Sequence, residues 1–210
     1  MATVSGTTIV AGVRQRADAE LLGYVDASWR ELYDLIVAID PTVYATVSSQ
    51  FTVTSTATAS LSSVASTCYR PLRVEYYSGG SGTGYVDVPM VNPSEANDCR
   101  QRAWNLMGST LYFYPPEQAP GTYRMWYVPT ATAWTSAAQT TELYNGWEEY
   151  LVCSATAMCL AKEESDPSFA LASKANARAR IEQALVRTLQ EPPTVLDLYP
   201  PGGRRWQRDA

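Results

Sequence analysis

Residues 18–41, DAELLGYVDASWRELYDLIVAIDP, decide the fold class. Within them Leu22, Val25, Trp29, Leu32, Ile36 and Ile39 recur at intervals of three and four, the spacing of one apolar stripe along a helix. Asp18 and Glu20 suit the positive end of the helix dipole. Asp40-Pro41 ends the helix, because the residue before a proline avoids helical dihedrals. Asp26, Arg30 and Asp34 lie on the opposite face at i, i+4 spacing, a polar row facing water. The spacing predicts a helix over about 8–40.

Two further helices are expected near the other end. Trp147, Tyr150, Leu151, Ser154, Met158 and Ala161 share a helical face within 146–164, and Ala155 and Ala157 permit a close neighbour. Ser165-Asp166-Pro167 restarts a helix over 167–190, with proline in its first turn. Glu191-Pro192-Pro193 stops it.

The sequence between these helices is of another kind. Thirteen of the 22 residues from Thr46 to Thr67 are Ser or Thr and none is charged. Val47, Phe51 and Val53 suggest a strand followed by a Ser/Thr loop. Leu72, Val74 and Tyr76 alternate into a Gly-rich turn at 79–84, and Tyr85, Val86 and Val88 resume, which reads as a hairpin. That turn lacks the lysine and the following helix of a phosphate-binding loop. Residues 92–104 read as a short helix. Residues 110–114 and 123–128 read as the two strands of a second hairpin.

The fold class expected is therefore α+β: mainly an α-helical bundle with a small antiparallel β insertion over about 43–130. The body spans 1–190, and 191–210 form an extended C-terminal arm. Two proline pairs in that arm forbid a helix. Its last ten residues carry three Arg against one Asp within a chain of net charge −5. Leu196, Leu198, Tyr199, Arg204, Arg205, Trp206 and Arg208 are the candidate docking residues, because Tyr, Trp and Arg join packing surface to a polar handle. A tail without a partner is the plainer alternative.

Composition narrows the chemistry. The chain has 210 residues and no histidine, which removes Ser-His-Asp and Cys-His activation and His-containing metal sites. Cys68, Cys99, Cys153 and Cys159 form no C-x-x-C pair and read as structural thiols. Of the carboxylates, Glu148 and Glu149 point about 100° apart on a helix. Glu163, Glu164 and Asp166 sit at a helix-to-helix turn. Lys162 and Lys174 belong to no nucleophile motif. No catalytic residue, cofactor or metal is expected, and an acidic chain with short basic clusters is a poor binder of DNA. The apolar run 151–161 is too short to cross a bilayer.

Several segments, in order, resemble the head-to-tail connector adaptor proteins of tailed bacteriophages. The strongest is Asn145-Gly146-Trp147-Glu148-Glu149-Tyr150, continuing into Cys159-Leu160-Ala161-Lys162-Glu163-Glu164-Ser165-Asp166. Val13-Arg14-Gln15-Arg16-Ala17-Asp18, Ser28-Trp29-Arg30-Glu31-Leu32-Tyr33-Asp34-Leu35, Gly108-Ser109-Thr110-Leu111-Tyr112-Phe113-Tyr114-Pro115 and Trp126-Tyr127-Val128-Pro129 also fit. The resemblance implies a virion protein made in the host cytoplasm and placed at the head–tail interface. It implies a homo-oligomeric ring of twelve copies beneath the portal protein, extending the DNA channel without binding DNA specifically. The ring would present a platform to the next tail component, engage no membrane, and dock to the portal through the C-terminal arm. Two other readings stand beside it: a minor virion module that binds a host surface through hairpin Tyr and Trp residues, and a virion-associated cell-wall hydrolase using Glu163 or Glu164.

Overall fold

The computed structural model describes residues 2–5, 18–79, 84–136, 138–143 and 146–190. The docking residues expected in the arm, Leu196, Leu198, Tyr199, Arg204, Arg205, Trp206 and Arg208, lie outside them, as do residues 8–17 of the first expected helix.

Four helices are described. The apolar stripe of the first stretch forms α1 (Asp18–Ile39). A four-residue helix, α2 (Leu61–Val64), sits among the strands, and α3 (Glu148–Lys162) and α4 (Ser168–Gln190) form a helical hairpin. Helix α1 ends where Asp40, itself buried, accepts a hydrogen bond from the Thr42 N–H at 2.9 Å and starts a 3-10 turn over Pro41–Tyr44. The α1 face turned inward is Leu21, Val25, Trp29, Leu32, Tyr33, Ile36 and Val37, so the stripe is wider than the spacing predicts and is entered through Leu21 rather than Leu22. It packs on Tyr150, Leu151 and Ala155 of α3 and on Ala177, Ile181 and Leu185 of α4.

Ten strands are described: β1 (Ala2–Ser5), β2 (Thr46–Val47), β3 (Phe51–Val53), β4 (Thr58–Ser60), β5 (Cys68–Tyr77), β6 (Tyr85–Val88), β7 (Ala103–Met107), β8 (Thr110–Tyr114), β9 (Gly121–Pro129) and β10 (Thr140–Leu143). They form a five-stranded antiparallel sheet in the order β2-β9-β5-β6 with β3 also on β9, a three-stranded antiparallel sheet β4-β8-β7, and a two-stranded ribbon β1-β10. The chain is α+β, with a substantial antiparallel sheet portion beside its helices. The expectation of mainly a helical bundle with a small insertion is thus corrected. Strands too short or too polar to show a clear alternation account for much of the difference.

Three local expectations change with it. Residues 110–114 and 123–128 are not hairpin partners, since β8 pairs with β4 and β7 whereas β9 pairs with β2, β3 and β5. The partner of β8 is β7, joined through a tight turn at Gly108, whose φ of +62° a residue with a Cβ adopts rarely. Residues 92–104 hold only a 3-10 turn, Ala96–Asp98, before β7 begins. The Ser/Thr-rich stretch is not a loop after its first strand: it carries β4 and α2, tied down by hydrogen bonds from the Leu61 N–H to Ser109 O and from the Phe113 N–H to Ala57 O.

The five-stranded sheet is the middle layer. On β9, Tyr123, Met125 and Tyr127 point to one face and pack with Val74 of β5 and with Trp104, Leu111 and Phe113 of the three-stranded sheet. Val128 points to the other face and is fully buried against α1, α3 and α4. Strand β5 follows with an irregularity: Pro71 faces Tyr127 and Arg73 faces Trp126, so Leu72 is an extra residue between them. This bulge turns Leu72 out of the alternation of Val74 and Tyr76 and onto the helical core. Tyr33 of α1 fixes the junction by donating to Pro129 O, and the Trp29 indole donates to Thr132 O at 3.1 Å. The helices cover only the end of the sheet that carries Val128 and Leu72.

Candidate interaction face

The uncovered end of that sheet face is built from cross-strand pairs. On β5, Arg73, Glu75 and Tyr77 alternate with the inward Val74 and Tyr76. They meet Trp126 and Arg124 on β9 and Asp87 and Tyr85 on β6. Glu75 is the hub, with its side chain only 9% exposed. It pairs with the Arg124 Nε and, at 2.9 Å, with the Arg73 Nη2. Both guanidiniums also lie on aromatic faces: Arg124 is 3.6 Å from the Tyr85 ring centre, and Arg73 is 4.8 Å from that of Trp126. Tyr85 stands beside Tyr77 at 5.3 Å and receives a hydrogen bond from Gln50. Tyr77 and, on β2 opposite Trp126, Val47 are exposed.

Two guanidiniums share one carboxylate here, and each is held flat by a ring. Burial works against the charge of Glu75, but the hydrogen bond and charge of Arg124, with the charge of Arg73, outweigh it and hold the carboxyl below its ordinary value of 4.5. A lowered folded-state pKa contributes stability above the unfolded value, and that contribution is lost as pH falls through the folded value. Glu75→Gln is therefore expected to flatten the acid side of the stability profile below about pH 4.5, as urea denaturation at stepped pH would show. A variant whose stability falls as steeply as the wild type in acid would remove Glu75 from that role.

An Arg, Trp and Tyr surface with side chains fixed before any partner arrives has the composition of an interaction hot spot. The sequence matches the SU10 adaptor protein family over residues 5–203. The chain belongs to the SU10 adaptor protein family. No curated protein matches it. Membership agrees with the phage head–tail connector resemblance and gives the protein a structural adaptor role in the virion.

Elsewhere on the adaptor, groups that could have carried chemistry are engaged otherwise. Glu148 accepts from the Gly146 N–H at 2.8 Å, and Glu149 pairs with Arg180. Asp166 caps α4, accepting from the Ser168 N–H and hydroxyl at 2.9 Å each. Lys162 pairs with Glu20 and Lys174 with Glu31. The four cysteines are free, and burial pushes the Cys68, Cys153 and Cys159 thiols up, away from the reactive thiolate. Among the described residues no three Cys, Asp or Glu side chains converge as a metal site would require, and no helix is long and apolar enough to cross a membrane.

A concavity of about 800 Å³ lies where α1 meets the chain after β9 and is lined by Trp29, Tyr33, Tyr44 and residues 129–133. Tyr33 stacks on Tyr44 at 4.7 Å, and the Trp29 and Tyr33 polar atoms are spent on the Thr132 and Pro129 carbonyls. This aromatic set anchors a loop to a helix. The sheet face was the part of the adaptor that sequence reasoning missed. Its signal was present in Arg73, Glu75, Arg124 and Trp126, which fall between the apolar positions of their strands.

Proposed function

We propose that this adaptor forms a ring between the portal protein and the next tail component, in twelve copies, extending the DNA channel and docking to the portal through residues 191–210. The observation that carries this is the family match, which runs to residue 203 and so takes in much of the proline-bounded arm. The arm's Leu196, Leu198, Tyr199, Arg204, Arg205, Trp206 and Arg208 are its contact residues: an extended segment gains contact area by ordering on its partner. A chain of net charge −5 suits a conduit that must let DNA pass, because a basic lumen would retain the duplex.

Deleting residues 191–210 is expected to abolish co-purification with portal protein while leaving the thermal transition of the body in place. Undiminished co-purification of the truncated chain would overturn the docking role. Ring formation is tested separately, by the sedimentation mass of the full chain alone and bound to portal.

A further inference from the structure

We propose that the turn between α3 and α4 is the surface by which one copy of this chain grips the next, with Glu164 and Phe169 seated on the Arg73, Arg124 and Trp126 face of its neighbour. The proposal rests on the ring reading above and supplies its subunit contact.

Three features of the turn point outward to a partner. Phe169 is 84% exposed, the most exposed large apolar side chain among the described residues, and Leu171 beside it is half exposed. Glu164 occupies the position just past the α3 C-terminus with φ +54°, a left-handed conformation that glycine adopts freely and a glutamate adopts at a cost. The strain sets an acidic side chain at the tip of a turn exposed from 161 to 166.

The face across the molecule is its complement. Arg73 and Arg124 both pair with Glu75, and Asp87, opposite Glu75 on β6, pairs with neither, so the guanidinium of Arg73, its side chain 52% exposed, keeps donors for a carboxylate from outside. The exposed Val47, beside the partly exposed Trp126, offers an apolar contact for a phenyl ring. The two surfaces cannot meet within one copy. The turn lies by the start of α1, where Lys162 pairs with Glu20, whereas the sheet joins α1 near Val37, whose carbonyl accepts from Arg70. Seventeen residues of helix, about 25 Å, separate those points. A contact between different surfaces of identical chains is heterologous, and closes into a ring when the rotation permits.

The test is a charge exchange in the full chain, read by sedimentation alone and on purified portal, in whichever setting the wild type assembles. Glu164→Arg and Arg73→Glu are each expected to weaken subunit association by about tenfold or more, and the two together to restore most of it. Phe169→Ser weakens association without loss of folding. Glu164→Gly relieves the left-handed backbone, so it is expected to raise Tm by about 2–4 °C while association falls. If the wild type forms rings and the single variants form them equally well, the contact is wrong and the ring reading stands. A wild type that assembles in neither setting overturns both.

Discussion

Val128→Asp is expected to abolish folding, with a loss of about 4–5 kcal/mol or more, whereas Thr122→Asp on the same face of the same strand should be tolerated. Val128 is fully buried between β9 and the three long helices, and its described surroundings there are apolar: Leu32, Ile36, Leu151 and Ile181 belong to the same cluster. A carboxylate at that point is shut off from water, and the cross-strand Arg70 is exposed and donates to the Val37 carbonyl, so the chain must pull that arginine from its place, bury an unpaired charge or separate the helices from the sheet. Thr122 lies six residues earlier, beyond the helical cover, and is partly exposed. Soluble yield and urea denaturation read the difference. A Val128→Asp protein with a wild-type midpoint would show that the helices do not pack on this face.

Trp104→Ala is the second large effect, expected at about 3–5 kcal/mol. The indole is 1% exposed at the centre of the β core, and its Nε1 donates to Val88 O at 3.0 Å. The same residue's backbone joins the two larger sheets, with the Trp104 N–H donating to Pro89 O and the Val91 N–H donating to Trp104 O. Truncation therefore opens a large cavity and leaves a buried carbonyl without its donor. Trp104→Phe restores most of the volume but not the hydrogen bond, so it should fall between the two. A chemical melt that ranks phenylalanine with alanine would assign the effect to the hydrogen bond instead of to packing.

The helices were legible because a period near 3.6 needs only a local run of residues to declare itself. Val25, Trp29, Leu32 and Ile36 did so without reference to anything distant. Strand partnership has no such local mark. Nothing in residues 110–114 distinguishes 123–128 from 103–107 as a partner, and proximity across Gly108 decided for the latter. Strands of two or three residues, such as Thr46–Val47 and Thr58–Ser60, cannot display alternation at all. The interaction face stayed hidden for the same reason: Glu75 becomes a hub only once Arg124, 49 residues away, lies opposite it. The expected arm residues from Leu196 to Arg208 lie outside the described part of the chain.

Strand β9 gives one face to each core, Met125 to the β core and Val128 to the helical core. Where the helices cover it, around Val128, its amide hydrogen bonds are guarded from both sides, and there neither core can melt without exposing the back of the strand that supports the other. Calorimetry should accordingly record one heat-absorption peak, with calorimetric and van't Hoff enthalpies equal. In hydrogen exchange, the amides along β9 beneath both cores should be released only with global opening. A structural component of a virion gains from having no softer half to yield first.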